Sequence, residues 1–524
     1  MADPTTLDAW LIAWLLLPFL AAFSSALLPR LARSLALVCV LTTLAWGVWA
    51  SLPGRQVLFE LIGSLGVQLQ LDGVAAPFLL LNALVVLAVL VDSWRQPPPG
   101  PFLLLLMVLL GGLNSSFLAT DLVSLYVALE VVGITAFLLI LQSREPRQLW
   151  IALRYLLVGN GVMTLFLIGS GLLYLYTGSF RLQSLQELPP GSTTLAVGLA
   201  LVMLGLLTKA GVFLSGLWLP QTHAEAPAQV SALLSGVVVA GGICPLLRLA
   251  LLLPAQQPVF TWVGLASVLL GLVYALGDGD LKRLLAWSTL SQMGFALLNP
   301  AAGGLFVLGH GVAKGALFLA AGKVPSRDLS LWGQQPLAPA LGLTVLVGAL
   351  SIAGAPPLLG YYTKATLETL PLTGIPGLPV HLLGWLLPLL MVGTAAVYAR
   401  ICWLPLGAGW QVPAPGGLLL ALMLVLVGLV APLLPGGSPF PSTAALGKGL
   451  GVLAAGAAVE ALRRGLHRPV TALGFRHRLR LPNLESLIDL LGALAVVGAG
   501  LQLLLLRLQP LSADLLVVEA LCLA

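Results

Sequence analysis

The sequence predicts an all-α polytopic membrane protein, and three of its properties say so. Of 524 residues, 59% are hydrophobic and only 8% charged, with a mean hydropathy of +1.03. Soluble domains carry about 25% charged residues, so this chain lacks the polar surface that water would require. Apolar runs of about 20 residues recur from end to end, each long enough to cross a hydrocarbon core of ~30 Å. A membrane β-barrel would need ~10-residue segments of alternating polarity, and that pattern is missing.

Taken in order, helical spans are expected near 7–28, 32–53, 74–93, 101–119, 121–142 and 148–176. The first has no basic leader and no small-residue cleavage site, so it reads as a retained span and not a signal peptide. Spans follow near 193–218, 227–253, 258–278, 284–299 and 301–322, short ones such as 284–299 leaving partial crossings open. An interrupted apolar segment, 337–371, precedes spans near 379–406, 415–435, 441–461 and 485–507. That makes about sixteen candidates joined by short loops, with no soluble domain between them. The longest polar stretches are 54–72, 177–192 and the basic segment Arg463–Arg480. The last fits a cytoplasmic linker or a headgroup contact, and is too short to suggest nucleic acid.

Charge placement adds an orientation. Arg30 and Arg33, Arg95, and Arg144 and Arg147 fall in the odd-numbered loops, with Lys282 and Arg283 on the same side. The loops between them hold only Arg55 and Arg181. The positive-inside rule makes the odd loops cytoplasmic and the N-terminus external. Asp278 and Asp280 precede LKRLLAWS as helix N-terminal charges. Glu460 lies one turn from Arg463 and Arg464, as an interfacial pair would. Trp10, Trp49, Trp218 and Trp403 sit near expected span ends, as interfacial anchors do.

Two places interrupt the helical pattern deep in the chain: GLWLPQTHAEAPAQ (216–229) and SIAGAPPLLGYYTK (351–364). Proline removes a backbone donor and ends or kinks a helix. Non-helical backbone at membrane depth survives only where it is buried in protein or lines a wet cavity. Interrupted helices in the two halves of a bundle point to a transport site, while an ordinary loop is the simpler alternative at each.

Glu130 lies near the middle of DLVSLYVALEVVGITAFLLIL. Three of only six lysines also lie in apolar helices: Lys209, Lys314 and Lys364. Each charge at the bilayer centre costs roughly 2.5–3.5 kcal/mol on insertion scales. These groups must pair, become neutral or reach water. A carboxylate ~4 Å from a lysine recovers about 4 kcal/mol at an effective dielectric near 20, comparable to that cost. Neither the charged nor the neutral state then wins by much, as a proton carrier requires. His310 lies four residues before Lys314 on the same helix face, and Lys364 and Glu368 share that spacing. One such residue alone is more readily a structural ion pair. Four in separate spans point to function, because a stable bundle needs none of them. Asn160, Ser231 and Ser235 could hydrate a path, although helix packing explains them as well. Cys39, Cys244, Cys402 and Cys522 are widely separated, without ligand spacing, so neither zinc nor an iron–sulfur cluster is expected.

The stretches SLYVALEVVGITAFLLI, LLTKAGVFLSGLWLPQTHAEAPAQVSALLSG, DLKRLLAWSTLSQMGF, HGVAKGALFLAAG and GAPPLLGYYTK carry a resemblance over roughly residues 70–405. The chain resembles the antiporter-like, proton-conducting membrane subunits shared by complex I, the NAD(P)H–quinone oxidoreductases, and the Mrp-type multisubunit cation/proton antiporters. The resemblance implies about 14 helices with two inverted five-helix repeats, each holding one broken helix. Residues 1–93 would then be N-terminal helices. Residues 94–253 would form the first repeat, broken near 207–229, and 254–406 the second, broken near 337–371. Residues 407–524 would be C-terminal helices with a basic linker at 463–480.

By the same resemblance Glu130 and Lys209 match the family's central pair, His310 and Lys314 its later relay, and Lys364 its last site before proton exit. One departure is visible: many relatives carry a lysine where this chain has Ala240. The implied role is H+ conduction inside a larger membrane complex, with Na+ or K+ exchanged in an Mrp-type assembly. No cofactor or redox chemistry is expected in this chain, although the complex could be an NAD(P)H–quinone oxidoreductase. The extra helices after about residue 440 lean slightly toward Mrp. A partner of an inorganic-carbon uptake protein and a structural scaffold with an interrupted path stay open. The implied location is a bacterial cytoplasmic or thylakoid membrane.

Overall fold

A computed structural model describes residues 4–472, except 62–65, 96, 97, 99, 144, 190, 191, 335, 370–379, 404–406, 408–413 and 434–440, together with Leu484. The expected last span at 485–507, Cys522 and the linker residues 473–480 lie outside the described residues, as do Arg144 and the last two residues of 337–371. Two units are distinguished, Met1–Leu481 and Pro482–Ala524.

Eighteen helices are described. The chain begins with α1 (Pro4–Leu27) and α2 (Ala32–Ala50), then a hairpin of β1 (Val57–Glu60) and β2 (Gln68–Leu71). Next come α3 (Ala76–Asp92), α4 (Phe102–Leu118), α5 (Leu122–Ile140) and the 32-residue α6 (Pro146–Thr177). A first interrupted element follows: α7 (Thr193–Ala210) and α8 (Leu219–Glu225). Then α9 (Ala228–Leu233) and α10 (Val239–Leu252) flank a π-helical segment, Leu234–Val238. Beyond lie α11 (Gln257–Gly277), α12 (Leu281–Leu298) and α13 (Pro300–Ala321). A second interrupted element consists of α14 (Pro339–Ala353) and α15 (Leu359–Thr369), before α16 (Val380–Cys402), α17 (Pro415–Val430) and α18 (Thr443–Ala472).

Ten of the described helical segments are long and apolar enough to cross a bilayer, and four shorter apolar helices accompany them. The protein is an all-α polytopic membrane protein. Its centre is α13, which packs against α3, α9, α10, α12, α14, α15 and α17. The segment 228–252 is buried along its whole span window, whereas the outer α6 is mostly exposed, as expected for a helix facing lipid. The short 284–299 candidate is the inner helix α12, buried from Leu284 to Leu298 between α11 and α13. The stretch 54–72 is more than a polar loop: Val57 pairs with Leu71 and Glu60 with Gln68 in the antiparallel hairpin. The Gln68 backbone N–H donates to Asp121 Oδ2 at 2.8 Å, and Asp121 also caps α5 by accepting from Ser124 N at 2.7 Å. The hairpin is thereby fastened to the helix that carries Glu130.

Candidate functional site

The first interruption creates a place for a charge. Helix α7 ends at Gly211 in the left-handed region (φ +67), and Phe213 follows at φ +51. The last carbonyls of a helix lack intrahelical partners and carry partial negative charge, which favours a cation there. Lys209 occupies that last turn. Its Nζ lies 3.4 Å from Glu130 Oε1 on α5 and 3.4 Å from the Leu129 carbonyl oxygen. The two side chains are only 10% and 19% exposed. Gly133, one turn after Glu130, makes the space, since a Cβ there would lie 2.8 Å from Lys209 Nζ.

Trp218 belongs to this site and corrects its expected role as an interfacial anchor. It is buried, meets Tyr155 edge-on at 5.0 Å, and donates from Nε1 to the Thr208 carbonyl at 2.9 Å. The indole shares that carbonyl with the Gly211 backbone N–H, which donates to it at 3.1 Å, and so ties the broken segment to the end of α7.

The second group surrounds α13. Lys314 is fully buried; its Nζ donates to the Leu285 carbonyl of α12 at 2.5 Å and lies 5.5 Å from the centroid of the Tyr398 ring. Tyr398 Oη shares a 2.7 Å hydrogen bond with Ser288 Oγ. The Leu285 carbonyl also accepts from Thr289 Oγ1 at 3.0 Å, and Thr289 Oγ1 meets Ser235 Oγ at 2.7 Å. A continuous polar line therefore runs from Lys314 through α12 to the π-helical segment. Ala240 is buried two residues beyond that segment and contributes no polar side chain.

His310 is buried with both ring nitrogens unpartnered, and the charged side chains bearing on it are Lys314 and Lys364. Lys364 approaches from α15, which crosses α13 where Gly309 faces Thr363. Helix α14 ends at Gly354 (φ +91), and the Lys364 side chain lies over it: a Cβ at 354 would be 3.1 Å from Lys364 Cδ. Each interrupted element thus sets a lysine beside the left-handed glycine that ends its first half. Lys364 Nζ has no hydrogen-bond partner, and Glu368 pairs instead with Lys448 of α18.

The structure brings Glu130 and Lys209 together, and His310, Lys314 and Lys364 together. Among the described residues, no titratable side chain is hydrogen-bonded to both groups. Sequence reasoning missed His223, which is buried on α8 with unpartnered ring nitrogens and stacks on Phe318 at 4.7 Å, one turn from Lys314. It also took Lys282 only as a marker of orientation, whereas Lys282 is buried and donates to the Ala226 carbonyl at 2.7 Å. The THAEAP stretch was signal enough for the histidine. Among the described residues, no three His, Cys, Asp or Glu side chains converge as a metal site requires.

Residues 119–371, which hold Glu130, both interruptions and Lys209, Lys282, Lys314 and Lys364, match the family described as NADH:quinone oxidoreductase/Mrp antiporter, TM. This chain belongs to that family. NADH-quinone oxidoreductase subunit N of Desulforudis audaxviator is 31% identical over 392 residues, covering 67% of this chain and 77% of that protein. A Na+/H+ antiporter component from Alkalihalophilus pseudofirmus is 30% identical over 282 residues, covering 49% of this chain and 57% of its own length. A chain of the Mrp complex from Dietzia sp. DQ12-45-1b shares the fold, with a TM-score of 0.70 at 22% identity, over 86% of this chain and 97% of that one. Helix α18 lies beyond the segment that matches the family.

Proposed function

We propose that this chain is an antiporter-like, H+-conducting membrane subunit that works among other membrane subunits of a complex I-like or Mrp-like assembly. The observation that carries the reading is the Glu130–Lys209 pair at the end of an interrupted helix. A proton from the cytoplasm reaches Lys209, and displacement of Glu130 changes how tightly the amine holds it. His310 and Lys314 receive it and Lys364 releases it on the other side. The buried groups titrate as a coupled set. In this reading residues 94–253 and 254–406 are the two repeats. The membrane is a bacterial cytoplasmic or thylakoid one, the N-terminus is external, and Na+ or K+ is the counter-ion in an Mrp-type assembly.

The gap at Ala240 favours a second reading, a scaffold whose path is interrupted. Against it stands the Ser235–Thr289–Leu285 line, since hydroxyls with water can pass a proton without a fixed charge. Proton flux in vesicles carrying the complete assembly decides between them. Glu130→Ala and Lys209→Ala should each lower flux by more than about tenfold, a barrier change of about 1.4 kcal/mol. Wild-type flux in both would leave the scaffold.

A further inference from the structure

Glu368 is the carboxylate nearest in sequence to Lys364, one helical turn away on α15. A carboxylate at that spacing attracts the ammonium and holds its proton. Yet Glu368 is engaged elsewhere: its Oε2 pairs with Nζ of Lys448, from α18, and the two side chains are 24% and 53% exposed. Tyr361, also on α15, lies against the same stretch of α18, its Cε2 3.1 Å from where a Cβ on Gly449 would be. The charged and titratable groups facing Lys364 are therefore few. From α13 it is His310, which also faces Lys314, and from its own helix Glu368, which in turn bears on Tyr361. Lys448 is the α18 charge that reaches them, through Glu368. Helices α14 and α17, which also pack against α15, place no charged side chain against it.

We propose that Lys448 is a positioning residue for proton release: by engaging Glu368 it keeps that carboxylate from clamping the ammonium of Lys364. The inference rests on the relay reading above, because it assigns Lys448 a role only if Lys364 carries the transported proton. It also gives α18, outside the family segment, a part in the last step of transport. With Lys448 gone, Glu368 turns back one helical turn, Lys364 holds its proton longer, and release demands a higher pH on the receiving side. A partly exposed ion pair sets the scale at about two- to fivefold.

The test is proton flux against receiving-side pH in vesicles carrying the complete assembly. Lys448→Ala should lower flux about two- to fivefold at neutral pH and move the profile to higher pH. Lys448→Arg should restore both. Glu368→Gln should transport normally, and adding Lys448→Ala to it should change nothing further, a result that loss of structure would not give. The proposal is overturned if Lys448→Ala matches wild type at every pH. It is equally overturned if its defect persists undiminished in the Glu368→Gln background. Lys364→Ala separates the two levels. Wild-type flux there removes the relay and this inference together, whereas lost flux there with a silent Lys448→Ala removes this inference alone.

Discussion

A missing side chain does as much at the central pair as the charges themselves. Gly133 leaves the volume into which the Lys209 ammonium fits, 3.4 Å from Glu130. Alanine is the better helix former by about 1 kcal/mol, so Gly133→Ala should leave α5 and the assembly intact. Its methyl group would lie 2.8 Å from Nζ, closer than packing tolerates, and the ammonium must withdraw from the carboxylate. Flux should fall about tenfold with normal amounts of assembled complex on a native gel. Wild-type flux would mean that the amine has slack at this point. The charged members of the site were legible because a lysine in an apolar run is conspicuous. Ser288, Thr289 and Tyr398 were not, because a hydroxyl in a membrane helix ordinarily bonds its own backbone. Which hydroxyls face Lys314 depends on how α12 and α16 pack, and no local pattern encodes that.

Among the elements, the two interrupted helices were legible for a plain reason: Pro220, Pro227, Pro356 and Pro357 punctuate runs that hydropathy alone would continue. The extent of each break was not. The sequence carried the first span to Trp218, whereas α7 ends eight residues earlier, at Ala210, and Trp218 is inside the bundle, bonding the Thr208 carbonyl. Nor was the hairpin of β1 and β2 foreseen, because strands this short differ little from a polar loop. The π-helical turn at 234–238 likewise has no sequence signature, yet it holds Ser235 against Thr289. If hydroxyls stand in for the lysine absent at Ala240, removing one must interrupt the line. Thr289→Val keeps the side-chain shape and deletes the oxygen that joins Ser235 to the Leu285 carbonyl. An unmade buried hydrogen bond costs about 1–3 kcal/mol. Flux should drop at least about fivefold, while a variant that conducts normally would show that protons reach Lys314 by another way, with the buried His223 the first place to look.

At the scale of the whole bundle, the polar contacts sort into two ends. At one end Arg147 pairs with Glu225, and Lys282 and Arg327 donate to the carbonyls of Ala226 and Ala224. Arg327 also meets Asp280, Arg283 meets Asp278, and Arg400 donates to the Asp278 carbonyl. Glu460, wholly buried, is held by both Arg463 and Arg464 as its spacing predicted. Gln229 joins this end to Asp92, and Arg33 lies over Trp94 close by. The opposite end has Arg181 on Glu60, Arg248 on Asp72 and Lys448 on Glu368. The arginine-rich end also closes over the carbonyls that terminate α8, and in the proposed reading this is the end at which a proton headed for Lys209 enters. Because insertion retains the more basic loops in the cytoplasm, that end should face inward. Single cysteines placed at Lys323 and at Arg55, in a chain whose native cysteines are replaced by serine, would report it with a membrane-impermeant thiol reagent. In intact cells the residue-55 cysteine should react and the residue-323 cysteine should react only after the membrane is opened. The reverse pattern would turn the whole path around, making Lys364 the point of proton uptake and the Glu130–Lys209 pair the point of release.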